Sequence, residues 1–171
     1  MVDELYLNGI KINPVDKLEA IFEMNTKIPS FQKDHKTLLP GLYLQEVRHN
    51  IAIYDLRFVK PNNKFIPIQA MHSIEHLCAT YFKIYSNIKD YVISFNPGAC
   101  QTMFYLEVLN DKNIDVKKEL INFIEWAMYQ TEVPGATEEE CGNYKSHNLK
   151  LAKLWLFEYY KVLLYGKTKE N

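Results

Sequence analysis

The sequence predicts an α+β fold: a single domain with a mainly antiparallel β-sheet packed with about four helices. Two observations carry that prediction. Residues 41–47 and 51–59 are rich in β-branched and aromatic side chains and flank the short polar break Arg48-His49-Asn50, the pattern of a hairpin. Around them the element order reads helix, hairpin, helix, strands, helix, helix, and hairpins set among helices point to an antiparallel sheet rather than to βαβ units. At 171 residues with 47% hydrophobic and 13% aromatic content, the chain is the size of one ordinary domain with a substantial core.

Each element has its own local cause. Asn13-Pro14 caps and starts a first helix running to about Asn25, with Leu18, Ile21 and Phe22 on one side. Pro29 stops it, and residues 26–40 read as an irregular segment closed by Pro40-Gly41. After the hairpin, Pro61-Asn62-Asn63 forms a loop and a helix follows from about Ala70 to Ser86. Tyr91 to Phe95 is a short strand that ends at Asn96-Pro97-Gly98, and Thr102 to Leu109 is another. From Asp115, the residues Val116, Leu120, Phe123, Ile124, Ala127 and Met128 recur at helical spacing, until Val133-Pro134-Gly135 breaks the run. A last helix starts near Ser146 with Leu149, Ala152, Leu156, Tyr159 and Leu163 as its buried stripe.

Composition excludes several classes of function. The formal net charge is −1 with acids and bases interspersed, so there is no clustered basic footprint for nucleic acid. No apolar run approaches the ~20 residues that a bilayer requires. Asp3 and Glu4 precede any apolar stretch, unlike the basic start of a signal peptide. Three cysteines make no disulfide framework. The expectation is a cytoplasmic protein whose thiols stay reduced and available.

His72-Ser73-Ile74-Glu75-His76 is the informative motif. Residues four apart on a helix share a face about 6 Å apart, so His72 and His76 can converge on one metal ion. Glu75, three residues after His72, lies on the same side and can act on a bound water or substrate. Cys141, in Glu140-Cys141-Gly142-Asn143, offers a third ligand and would leave a fourth position open, as catalytic sites do. A thiolate beside two imidazoles suits Zn(II), Co(II) or Fe(II) better than Mg or Ca. Cys100 sits between two strands after small residues, where its sulfur is accessible. It can be a general base or nucleophile, a fourth ligand closing the site, or a core thiol. Cys78 points away from the metal face and reads as packing. Asp55 and Arg57 share one face of a strand by period two, as a solvent-exposed pair or as an anchor for a polar substrate. Ser30, Phe31, Asp34 and His35 occupy the irregular arm, where a histidine is most often a surface residue.

Taken together, these segments resemble S-ribosylhomocysteine lyase, the enzyme family that makes the precursor of autoinducer 2. The matching stretches are Ser30 to His35, Pro40-Gly41, Asp55 to Phe58 with Pro61-Asn62, His72 to Leu77, Pro97 to Thr102, Phe104-Tyr105, Pro134 to Ala136 and Glu140 to Tyr144. They keep the family's order over roughly residues 28 to 165, so the chain divides into an N-terminal extension with a short helix (1–27) and a metal-dependent lyase domain (28–171). The resemblance implies a metal held by His72, His76 and Cys141, most often Fe(II), with Zn(II) or Co(II) as substitutes. It implies Glu75 and Cys100 as the two acid–base residues and Ser30, His35 and Arg57 as substrate contacts. It further implies a small-molecule substrate and a homodimer with its sites at the interface, the arm around Ser30 to His35 crossing to the partner. The implied reaction moves the ribose carbonyl by proton transfers beside a Lewis-acidic metal and ends in β-elimination of homocysteine, leaving 4,5-dihydroxy-2,3-pentanedione.

This sequence departs from the family pattern at Gly98-Ala99 ahead of the cysteine, at Met103 after it, and at Ser94, where an acidic residue is usual. Met103 is expected to add bulk near the thiol. Three other readings compete: a divergent homologue with a changed or lost substrate, an inverted zinc peptidase using the same His-x-x-Glu-His with a glutamate from 138–140, and a structural metal domain closed by Cys100.

Overall fold

In the computed structural model, residues 28–166 are described throughout, and the backbone is also described at Leu5–Leu7 and Ile10–Ile12. Two compact units divide the chain, Met1–Asp34 and His35–Asn171. In the first, β1 (Leu5–Leu7) pairs antiparallel with β2 (Ile10–Ile12), and Pro29–Phe31 forms a single 3-10 turn. The helix expected from residue 13 to about 25 lies outside the described residues.

The second unit is built on the expected hairpin. β3 (Gly41–Arg48) and β4 (Ile51–Arg57) are joined by His49-Asn50, whose φ values of 48° and 63° are those of a two-residue turn with both central residues left-handed. Such a turn matches the twist of the strands it joins. β5 (Val92–Pro97) and β6 (Met103–Leu109) complete a four-stranded sheet of order β3-β4-β6-β5, antiparallel throughout. Alternation along β4 sends Ala52, Tyr54 and Leu56 to one face, where Phe104, Leu106 and Val108 of β6 join the core. Asp55 and Arg57 take the other face. Three α-helices are present among the described residues: α1 (Ile68–Thr80), α2 (Val116–Met128) and α3 (Leu149–Tyr165). Helix α1 packs on β5 and on α3, and α3 reaches β3. There Tyr159 donates to the Gly41 carbonyl at 3.1 Å and stacks on Phe58 at 4.1 Å. The result is the α+β architecture the sequence predicts.

Several boundaries shift by a residue or two, and two helix ends differ from the sequence reading for visible reasons. The helix expected to run unbroken to Ser86 ends as α at Thr80 and continues over Tyr81–Tyr85 as a π-turn, closed by the Ser86 N–H on the Tyr81 carbonyl. Tyr81 and Phe82 are consecutive and both buried, and the wider turn lets both rings reach Phe123 of α2, at 5.7 and 5.9 Å. The last helix begins after Ser146, at Leu149, because the Asn148 side chain accepts from the Leu151 N–H and caps it. Asp115 caps α2 in the same way through the Lys118 N–H.

Candidate metal centre and the surrounding cleft

Helix α1 buries Ala70, Met71, Ile74, Leu77 and Cys78, which leaves His72, Glu75 and His76 on its partly exposed side. Cys78 is fully buried as expected, and burial raises its thiol pKa well above the ordinary value, so it stays protonated and inert. The loop before α3 brings up Cys141 and His147. The ligand atoms of His72, His76, Cys141 and His147 all lie within 4.8 Å of one another, the one such donor cluster among the described residues.

Backbone carbonyls fix two of these rings. His72 Nδ1 lies 2.9 Å from the Ser146 carbonyl, and His76 Nδ1 lies 2.8 Å from the Pro134 carbonyl. A carbonyl only accepts, so each Nδ1 carries the proton and each Nε2 presents a lone pair. Gly135, at φ +64°, lets the chain turn directly after that carbonyl. The His72 and His147 Nε2 atoms stand 3.4 and 3.5 Å from Cys141 Sγ. A thiol has one proton, so it can satisfy only one of the converging nitrogen lone pairs. Imidazole nitrogens and a buried sulfur gathered in this way are the donor set of a soft-tolerant divalent metal.

His147 is the residue the sequence reading missed. Its ring stacks on His72 at 3.9 Å and meets His76 edge-on at 4.6 Å. Burial, then the neighbouring His72 and His76, lower its pKa to about 4, so it is neutral at physiological pH. The available signal was a donor six residues after Cys141, at the start of the last predicted helix.

Glu75 lines a cleft of about 260 Å³ together with Ile68, Met71, His72, Asn96, Pro97, Asn143 and Ser146. Its carboxylate lies 3.7 Å from His76 Nε2. Pro97 leads from that cleft into the turn that carries Cys100, an exposed thiol. Gln101, at φ +57°, shapes the turn, and its carbonyl accepts from the Ile66 N–H at 2.8 Å. Cys100 Sγ contacts Thr102 Oγ1 at 3.0 Å, and that hydroxyl oxygen accepts from Arg57 at 2.7 Å. Cys100 is not among the clustered donors.

The Asp55–Arg57 pair is not a solvent-exposed one. Both are buried and joined at 2.6 Å, and the buried Arg57 Nε has no hydrogen-bond partner among the described residues. Met103 is buried, and its sulfur fills the space a Cβ on Gly98 would need, so its bulk packs under the turn that carries Cys100. Ser94 donates to Glu107 at 2.8 Å within the sheet. Glu138, Glu139 and Glu140 are exposed and outside the donor cluster, which removes the third ligand that the peptidase reading requires. His35 is half-buried and likewise outside the cluster, and Ser30 lies on the 3-10 turn of the first unit.

The family model described as S-ribosylhomocysteinase (LuxS) matches residues 28–170. The chain belongs to this family. It is 37% identical over 154 residues to the S-ribosylhomocysteine lyase of Finegoldia magna, covering 85% of this chain and 96% of that relative. The S-ribosylhomocysteine lyase of Borreliella burgdorferi is 34% identical over 147 residues, covering 80% of this chain and 92% of its own length. That of Phocaeicola vulgatus is 34% identical over 153 residues, with 84% and 94% covered. In this LuxS-family chain, no helix among the described residues is long and apolar enough to cross a membrane.

Proposed function

We propose that this protein is a metal-dependent carbon–sulfur lyase that cleaves S-ribosylhomocysteine to homocysteine and 4,5-dihydroxy-2,3-pentanedione. The observation that carries the reading is the convergence of His72 Nε2, His76 Nε2 and Cys141 Sγ, with both imidazole tautomers set by backbone carbonyls, in a chain of the S-ribosylhomocysteinase family. Fe(II) is the proposed metal, with Zn(II) or Co(II) able to replace it. When bound, the metal supplies Lewis acidity that polarises the sugar carbonyl and acidifies the neighbouring C–H.

The protein's own groups then move protons. Glu75, on the cleft wall beside His72, and Cys100, on the turn that leaves the cleft at Pro97, are the proposed acid–base pair. A base on each side of the substrate carries protons between adjacent carbons, so the carbonyl migrates until the thioether stands β to it and leaves as the homocysteine thiol. Thr102 bears on the role of Cys100. Guanidinium only donates, so the Thr102 hydroxyl accepts from Arg57 and has its own proton free for the sulfur, which favours Cys100 as an acceptor. The unpartnered Arg57 Nε–H supports a substrate contact there. Ser30 and His35 are proposed as further substrate contacts from an arm that crosses to a second subunit, which makes the working unit a homodimer. Residues 1–27 are read as an extension ahead of the lyase domain, and the compartment as the cytoplasm.

The test is incubation of the Fe(II)-loaded protein with S-ribosylhomocysteine and a thiol reagent. Release of homocysteine supports the reading, and none above the substrate-only background would sink it.

A further inference from the structure

We infer that Glu107, with Asn96 beside it, receives the α-ammonium of the substrate's homocysteine arm. The inference rests on the lyase reading above and names a specificity-determining residue for it.

Position is the first support. Phe104, Leu106 and Val108 join the core, so alternation along β6 sends Tyr105 and Glu107 to the opposite face, the one that carries Asp55 and Arg57. Across the β5–β6 pairing, Ser94 stands directly opposite Glu107 and Asn96 opposite Tyr105. Asn96 also lines the cleft that holds His72 and Glu75. A string of hydrogen bonds therefore leads from the cleft wall to a carboxylate on the next strand. Asn96 Nδ2 lies 2.9 Å from Ser94 Oγ, and Ser94 Oγ lies 2.8 Å from Glu107 Oε2.

The donors and acceptors along that string decide what it can bind. A carboxylate only accepts, so the one Ser94 proton goes to Glu107 and the hydroxyl oxygen accepts from Asn96. The Asn96 amide is thereby oriented, with Nδ2 toward Ser94 and Oδ1 left as its acceptor. Glu107 Oε1 has no hydrogen-bond partner among the described residues, and no cationic side chain among them is paired with this carboxylate. Glu107 is half-buried, and a carboxylate drawn partly out of water gains most from a cation. Two acceptors and a negative charge select a group that donates and is positive. The homocysteine arm carries one such group, its α-ammonium.

The departure at Ser94, where an acidic residue is usual, acquires a role in this arrangement. The carboxylate reappears directly across the strand pair, where opposed Cβ atoms stand about 5 Å apart. Bracing β5 against β6 does not account for these groups. The strands are already joined by their backbones, and a brace has no need of an amide at the cleft wall.

The experiment measures binding by calorimetry on the full-length, Zn(II)-loaded protein. Its ligand is an S-ribosylhomocysteine analogue without the anomeric hydroxyl, which cannot open to a carbonyl and is not turned over. Glu107→Gln should weaken this binding by roughly 10- to 100-fold, the span of a lost hydrogen bond to a charged group. With the same analogue stripped of its α-amino group, the variant and the unsubstituted protein should bind alike. The double variant Ser94→Asp with Glu107→Gln moves the carboxylate back across the pair and should regain the tighter binding, which a packing role for Glu107 would not give. Equal Kd for the unsubstituted protein and Glu107→Gln, or the same loss with the deaminated analogue, overturns the inference and leaves the lyase reading standing. No binding of either analogue to the unsubstituted protein overturns both.

Discussion

Two loops each deliver a cysteine, and they treat the sulfur in opposite ways. The Gly98–Thr102 turn is pinned to the sheet and to the 58–66 segment through its backbone, with Thr102 accepting from the Phe58 and Val59 N–H groups, and it leaves Cys100 exposed. The loop before α3 buries Cys141, ties its N–H to the Thr137 carbonyl at 3.0 Å, and aims its sulfur at imidazole nitrogens. In the proposed roles, a sulfur that meets a changing substrate stays accessible and leans on a hydroxyl, and one that holds a cation is withdrawn among lone pairs. Residue type is identical in the two places, so the division of labour comes from the partners alone.

Breaking the buried member should have the larger effect. Cys141→Ala removes the sulfur donor from the cluster, and the purified protein is expected to lose stoichiometric metal binding, read by elemental analysis, and with it all measurable turnover. Cys100→Ala should separate the two roles: metal content stays at the unsubstituted level while kcat falls by roughly 10²–10⁴-fold, the usual span for a positioned acid–base group. If Cys100→Ala also emptied the site, the two loops would not be the distinct devices described here.

The comparison is sharpened by groups behind the sulfurs. Thr102→Val leaves one buried Arg57 N–H unpaired and should cost about 1–3 kcal/mol in urea unfolding. Cys78→Ala, at a third thiol that touches neither loop's chemistry, should lower stability by about 1 kcal/mol with metal content and kcat unchanged. Asn148→Ala, which removes the cap just beyond His147, should cost a similar ~1 kcal/mol of stability.

How much of this was legible in the sequence follows from how local each cause is. The hairpin, the helix beginning at Asp115 and the His72–His76 pair depend on residues a few positions apart, and pattern reading reaches them. The π-turn at Tyr81–Tyr85 depends on aromatic rings of α2 some forty residues on, and nothing within the segment announces it. Burial of Asp55 and Arg57 was invisible for the same reason: a charged pair on a strand looks solvated until a distant Thr102 is seen to engage it. His147 fell between the two cases. Its spacing from Cys141 was available, but its orientation depends on Ser73, 74 residues earlier in the chain.

That long separation has a thermodynamic consequence. Cys141 and His72 are 69 residues apart in sequence and 3.4 Å apart in space, so an ion held between them closes a long loop of the chain. Its binding free energy then becomes folding free energy, because the unfolded chain offers no preformed site. Stability should rise with free metal concentration by about 1.4 kcal/mol per decade above the dissociation constant. If the proposed site is filled, a chelator is expected to act on this protein as a denaturant, and its melting temperature to depend on the buffer as much as on the sequence.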